Sequence, residues 1–255
     1  MYKYRFGKSS IERHSLDSTI SDYLKSSPNT VNIHGYCANT AMYDHASISL
    51  YHLYEKNKQM GRIVDSRTKV RYARDIAAGL ASLHNINDAN DTAMAVYLDL
   101  KPENVVVING RVLLSDFNAA AMIMQSTGDS NGELCPLNSR GPYVEGALFY
   151  PPEKNQHFTE KVDIYALGGM IHYLLIGLSQ TSKPLHQPWY HDDHRPNHLL
   201  KPEEVDELYT SNDDPLIQAL LTVARKSHHF DPGERPHAKD IVKYLDSVLA
   251  GKSIE

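Results

Sequence analysis

Asp99-Leu100-Lys101-Pro102-Glu103-Asn104 precedes two short apolar runs, and Ser115-Asp116-Phe117-Asn118 follows them. The runs are Val105-Val106-Val107-Ile108 and Arg111-Val112-Leu113-Leu114, joined by Asn109-Gly110. Asn-Gly between β-rich runs signals a tight hairpin, because both turn residues must take positive φ and these two tolerate it best. A hairpin brings its flanks together. Asp99, Lys101 and Asn104 on one side and Asp116 on the other therefore converge on one cleft, within eighteen residues of chain. Phosphoryl transfer needs such a set: an acid to orient a hydroxyl, oxygen ligands for hard magnesium ions, and a cation on the moving phosphate. Carboxylates also serve as turn and cap residues beside hairpins, so the set needs support from the rest of the chain.

Outward from the hairpin, residues 68–84 place Val70, Ala73, Ile76, Ala77, Leu80 and Leu83 on one face, which predicts an amphipathic helix. Upstream, Leu16, Ile20, Tyr23 and Leu24 recur at helical spacing over residues 11–24; Ser27-Pro28-Asn29 ends that run and residues 30–36 alternate like a strand. Downstream, helices are predicted over residues 161–176, 215–226 and 238–249, separated by loops containing Pro and His. The fold class is α+β, with sheet early and helix late. The longest apolar stretch, residues 164–178, includes Tyr165, His172 and Tyr173 and is shorter than the roughly 20 residues a bilayer span needs, so it reads as a buried helix.

The catalytic-loop stretch and Asp116-Phe117 resemble the eukaryotic protein kinase family, whose loop runs His-Arg-Asp-Leu-Lys-Pro-Glu-Asn and whose metal motif is Asp-Phe-Gly. Three further stretches resemble it in the same order. Tyr150-Pro151-Pro152-Glu153 is similar to Ala-Pro-Glu, Asp163-Ile164-Tyr165-Ala166-Leu167-Gly168 to the start of the central buried helix, and Asp231-Pro232-Gly233-Glu234-Arg235-Pro236 to the late Asp-Pro-x-x-Arg-Pro loop. The resemblance covers roughly residues 28 to 250. It implies a two-lobed fold: an incomplete N-terminal lobe over residues 1–45 and a mainly α-helical C-terminal lobe over residues 46–250 carrying the catalytic loop and activation segment. It implies ATP and Mg2+ as cofactors and a protein as substrate. By position, Asp99 accepts the hydroxyl proton, Lys101 meets the γ-phosphate, and Asn104 and Asp116 ligate magnesium. Glu153 and Arg235 form an ion pair under the activation segment, Asp163 braces the catalytic-loop backbone, and Asp44, His45 and Ala46 fall where the adenine-binding hinge lies. Lys-Pro-Glu is the serine/threonine form of the loop.

The chain departs from that pattern in three places. Tyr97-Leu98 replaces His-Arg, which removes the arginine that pairs with a phosphorylated activation loop. Asn118 replaces the glycine after Asp-Phe; Asn tolerates positive φ, so the turn is expected to survive. No glycine-rich loop appears, Gly7 being the only glycine before Gly35, and no Val-Ala-Ile-Lys-like strand is recognisable; Lys3 is the nearest candidate lysine. Asp17, and second to it Glu12, lies near the usual regulatory-helix glutamate. These gaps imply a kinase start upstream of Met1 or a protein that has lost most of its small lobe, and they keep open a pseudokinase that works by binding partners. A small-molecule phosphotransferase of related fold is a further rival, although such enzymes carry His-x-Asp without Lys-Pro-Glu.

Composition narrows the classes. With 255 residues, 41% of them hydrophobic, and a formal charge of -5, the chain can build one sizeable core and has no basic surplus for nucleic acid. The densest basic stretch, Arg67, Lys69, Arg71 and Arg74, reads as a solvated helix face. Two distant cysteines, Cys37 and Cys135, and no signal-like start point to an intracellular, cytoplasmic protein that does not engage membranes. Oligomeric state is not legible. His186, His191, His194 and His198 have no compact metal spacing, and Trp189 between them reads as a packing residue; Asn90-Asp91-Thr92 matches a glycosylation acceptor only by chance.

Overall fold

The computed structural model describes residues 10–37, 40–85, 93–123, 151, 159–176 and 213–251. Among them the chain forms α1 (Ser10–Tyr23), β1 (Ile33–Cys37), β2 (Thr40–Tyr43), β3 (Ile48–Ser49), α2 (Leu50–Gln59), α3 (Ser66–His84) and β4 (Ala95–Val96). It continues with β5 (Val105–Ile108), β6 (Arg111–Leu114), β7 (Ala121–Met122), α4 (Lys161–Ile176), α5 (Pro215–Ser227) and α6 (Ala238–Leu249). The strands make three small antiparallel sheets, β1-β2, β3-β5-β6 and β4-β7.

Helix α3 is the hub. Its predicted stripe, Val70, Ala73, Ile76, Ala77, Leu80 and Leu83, is buried and shares one core with Leu114 of β6, Ile164 and Leu167 of α4, Leu220 of α5 and Leu245 of α6. The helix starts because Asp65 accepts from Thr68 N at 2.9 Å, which satisfies one of the donors an initial turn leaves open. Gly79 lets β6 come close: a Cβ there would sit 2.7 Å from Leu114 Cγ and 2.9 Å from the Asn29 carbonyl. That carbonyl receives Leu114 N at 3.0 Å, and Val31 N returns to Leu114 O at 2.9 Å, which stitches the chain after α1 to the hairpin.

The basic face of α3 is not simply solvated. Arg67 donates to Leu249 O at 2.9 Å and Lys69 to Leu175 O at 3.0 Å, so two cations reach terminal carbonyls of α6 and α4, where helix dipoles favour positive charge. Arg74 bonds Asp246 at 2.8 Å and Asp75 at 3.1 Å, while Arg71 turns to Thr68. Charge in this face serves helix docking. Spacing could not show it, because the acceptors lie more than 100 residues away in sequence.

The apolar run over residues 164–178 yields α4, in which every residue from Lys161 to Leu174 is buried. A helix apolar all round belongs inside a protein core, and no helix among the described residues is long and apolar enough to cross a membrane. Residues 186–198, Trp189, Cys135, Asn90-Asp91-Thr92 and Lys3 lie outside the described residues.

Candidate active site

The hairpin forms as its sequence requires. Val105 faces Leu114 and Ile108 faces Arg111, with Asn109 at φ 51° and Gly110 at φ 76° in the turn. Its base closes through Asn104 O, which accepts Ser115 N at 3.0 Å and Ser115 Oγ at 2.8 Å. The catalytic-loop stretch and the Asp-Phe-Asn stretch are thereby held side by side.

Within that base, Asp99 organises its neighbours. Lys101 Nζ donates to Asp99 Oδ2 at 2.6 Å, and Asn104 Nδ2 donates to the same oxygen at 2.8 Å and to the Asp99 carbonyl at 3.0 Å. Charge-assisted bonds of this length are about twice as strong as neutral ones and fix the carboxylate's direction. Asn104 is buried, while Asp99 and Lys101 keep a quarter or so of their side chains open, 23% and 29%. The free Asp99 edge is therefore accessible to a third molecule.

The loop is fastened from beneath by Asp163, which is 1% exposed and accepts from Tyr97 N at 2.7 Å, Leu98 N at 2.9 Å and His84 Nε2 at 2.9 Å. Leu98 sits at φ 66°, an uncommon conformation for a residue with a branched side chain, and the Asp163 bond holds it there. Tyr97 fills the site of the missing His: its hydroxyl donates to Ser115 O and its ring meets Phe117 edge-on at 5.4 Å.

Asp116 carries the second unusual backbone, φ 58°. Asn118 was expected to take the positive φ of the missing glycine, and it does not; among the non-glycine residues described only Leu98, Asn109 and Asp116 do. The turn survives without it, Ala120 N donating to Phe117 O at 3.1 Å around Asn118 and Ala119, and the positive φ falls two residues earlier, at Asp116. Burial raises the Asp116 carboxyl above the usual carboxylate range; the Asn118 amide opposes this, and the charges of Asp17 and Asp99 add to it. Its side chain is open on one side, where only a 3.4 Å bond from Asn118 N reaches it.

Asp17 of α1 points into this region, whereas Glu12 is exposed at the helix start. Its Oδ1 accepts Phe117 N at 2.6 Å and its Oδ2 accepts the Tyr43 hydroxyl at 2.5 Å. Asp44, His45 and Ala46 form the connector between β2 and β3, and β3 pairs with β5, so the connector borders the hairpin. The Asp44 carboxylate lies 2.7 Å from His34 Nε2 and its backbone N donates to Asn32 O at 3.0 Å, while His45 is exposed and Ala46 is half-buried. Glu153 is outside the described residues; Arg235 is 1% exposed and donates to the carbonyls of His229, Lys161 and Phe230 at 2.8, 3.0 and 3.3 Å.

Among the described residues no cluster of three or more His, Cys, Asp or Glu is arranged to hold a metal ion. Magnesium does not require one, since it is commonly bound by one or two protein oxygens together with substrate phosphates and water. Asn104 and Asp116 are hard oxygen donors on the two flanks of the hairpin base, and Asp116 sits among like charges that a cation would relieve. The donor chemistry fits. Sequence reasoning missed Tyr43 and the positive role of Tyr97, and no periodic signal marks either.

Residues 17–245 match the model of the protein kinase domain, and the chain belongs to that family. It is similar to the serine/threonine-protein kinase VIK of Arabidopsis thaliana, 24% identical over 204 residues that cover 77% of this chain and 41% of that protein. It is also similar to an Aurora kinase of Eremothecium gossypii, at 25% over 85% of this chain and 52% of that protein. The serine/threonine-protein kinase mos of Xenopus laevis is 26% identical over 84% of this chain and 56% of its own length. The chain thus spans about half or less of the relatives it matches.

Proposed function

We propose that this chain is a two-lobed protein kinase domain that transfers the γ-phosphoryl group of ATP to a serine or threonine hydroxyl of a protein. The observation that supports this reading most is the convergence of Lys101 and Asn104 on one oxygen of Asp99, beside Asp116 across the hairpin base. Asp99, held by those two donors, keeps its other oxygen for the substrate hydroxyl and accepts its proton. Lys101 is the mobile partner: its flexible stem lets the ammonium leave Asp99 for the incoming phosphate, where it offsets negative charge. Asn104 and Asp116 hold Mg2+, which when bound neutralises charge on the phosphates. Residues 44–46 supply the hinge against which adenine lies, and Asp163 keeps the loop bearing Asp99 in register. Glu153 and Arg235 pair beneath the activation segment.

One observation favours a scaffold as the second reading. The partners described for Asp17, which lies near the usual regulatory-helix glutamate, are a phenol and an amide. Titration calorimetry with ATP decides. Magnesium-dependent binding that disappears in Asp116→Ala supports the enzyme, and phosphorylation of a generic protein substrate should then fall at least about a hundredfold in Asp99→Asn. Absence of any magnesium-dependent binding by the wild-type chain overturns the kinase assignment in favour of the scaffold.

A further inference from the structure

Asp116 holds a positive φ, yet its own side chain makes only the 3.4 Å bond to Asn118 N. The conformation must be fixed through its neighbours. On the side before it, the Ser115 carbonyl receives the Tyr97 hydroxyl. On the side after it, Phe117 N donates to Asp17 Oδ1 at 2.6 Å, and the other oxygen of that carboxylate is occupied by the Tyr43 hydroxyl at 2.5 Å. We infer that Tyr43 and Tyr97 are positioning residues that bracket Asp116, Tyr97 by gripping the peptide before it and Tyr43 by aiming Asp17 at the peptide after it.

Each half of the bracket has its own anchor. Tyr97 is completely buried, its backbone N is bound to Asp163 at 2.7 Å, and its ring braces Phe117, so its hydroxyl has little freedom to leave Ser115. Tyr43 ends β2 with its hydroxyl near the buried Ser18 and Ser21 of α1, and Asp17 directly precedes Ser18 on the same helix. Burial, followed by the hydrogen bond to Asp17, pushes its phenol up to about 12, so at neutral pH it is a donor and never a competing anion. The geometry joins three elements that share no sheet. Helix α1 is tied to β2 and to the Asp-Phe-Asn stretch through one carboxylate, and Tyr43 directly precedes the 44–46 connector. A change at that connector therefore reaches Asp116 through two hydrogen bonds.

The bracket rests on these contacts alone; its consequence for metal binding rests on the kinase reading. The two are separated by measuring amide hydrogen exchange by NMR on the nucleotide-free 255-residue chain, and then nucleotide affinity with and without magnesium. Tyr43→Phe and Tyr97→Phe each remove one oxygen and keep the ring. Exchange at the Phe117 amide is expected to rise about tenfold or more in Tyr43→Phe and in Asp17→Asn, while amides of α4 stay within about twofold of wild type. In Tyr97→Phe the same rise is expected at the Ser115 amide, which donates to Asn104 O at 3.0 Å. Unchanged exchange at both amides, or an equal rise in α4, overturns the bracket. Should Tyr97→Phe fail to fold, Tyr43→Phe still decides. Affinity for the magnesium complex of ATP is expected to drop about tenfold in Tyr43→Phe, with metal-free ATP affinity moving less than about twofold; an unaltered magnesium increment overturns the positioning role. A wild-type chain that shows no magnesium increment removes the kinase reading, while the exchange result still judges the bracket.

Discussion

A carboxylate whose ionisation the fold resists is doing something other than stabilising the fold. Asp116 is raised by burial, with Asp17 and Asp99 as added like charges. The sign follows from proton linkage: the native state holds this proton to a higher pH than the unfolded chain does, so the ionised form weakens the fold. That weakening is absent well below pH 3.8 and grows as pH rises through the raised native value. Asp116→Asn should therefore melt higher than wild type at pH 7 without metal and equal it in strong acid, as differential scanning calorimetry would show, while losing magnesium-dependent nucleotide binding. A variant that is less stable at pH 7 would contradict the electrostatic account. Asp163 serves the backbone, its carboxylate accepting from two backbone N–H groups and from His84. Asp163→Ala strands the Tyr97 and Leu98 amides and releases Leu98 from φ 66°, so chemical denaturation should register a loss of about 3–5 kcal/mol. At this scale the sequence was readable wherever a local rule fixed the geometry: Asn109-Gly110 named the turn, and the turn brought Asp99, Lys101 and Asn104 beside Asp116. It was unreadable where a side chain chose a partner far along the chain. Tyr43 finds Asp17 across 26 residues and Tyr97 finds Ser115 across 18, and neither choice leaves a period behind.

Between elements, one tight contact joins α4 to the C-terminal end of α5. His228 lies under Gly168, whose missing Cβ would fall 2.7 Å from the His228 ring, and the ring stacks on His172 at 5.3 Å with planes 9° apart. Tyr165 of α4 approaches the same ring at 4.6 Å, and the Arg235 guanidinium lies 4.9 Å from the Tyr165 centroid, which brings a positive charge close to this pair. Burial pushes His172 down to about 4, and burial with the neighbouring His172 and Arg235 holds His228 well below its ordinary value. Both rings are neutral in the fold, and the unfolded chain takes up their protons first. Stability is fully present above about pH 6.5 and is lost as pH falls toward 4. Denaturation midpoints measured between pH 7.5 and 5 should fall steadily, and His172→Phe should flatten that slope; an unchanged slope would clear His172 of the effect. The packing has its own test. Gly168→Ala should cost about 1–3 kcal/mol, and much less in a His228→Ala background, since the three nearest atoms all belong to that ring. Helices α4 and α6 matched their predicted bounds because their patterns are long and strongly apolar or strongly two-faced. Helix α2 was not foreseen: it is ten residues long, only Leu50 and Tyr54 are buried, and its start is set by Ser49 capping His52 N.

For the molecule as a whole, the question that divides enzyme from scaffold is whether nucleotide and metal are read together. The fold places the connector 44–46, the Asp99 loop and Asp116 on elements meeting at α3 and the hairpin, so a ligand touching all three would tie α1, β2, β5 and β6 into one unit. Binding to the native state alone adds RT ln(1 + [L]/Kd), about 2.7 kcal/mol at a hundredfold excess over Kd. For a chain of this size each kcal/mol moves the melting temperature by roughly 2–4 °C. The magnesium complex of ATP at that excess should thus raise the melting temperature by roughly 5–10 °C, and ATP with a chelator by clearly less. The comparison carries more than the size of either shift. Equal shifts with and without magnesium would mean that the cleft accepts nucleotide while Asn104 and Asp116 do no metal work, which is what a partner-binding module retaining an adenine pocket would show. A magnesium-dependent excess that vanishes in Asp116→Asn, in a variant itself melting higher without ligand, would tie the destabilising carboxylate to the ligand that repays its charge, and would put the chain on the side of catalysis.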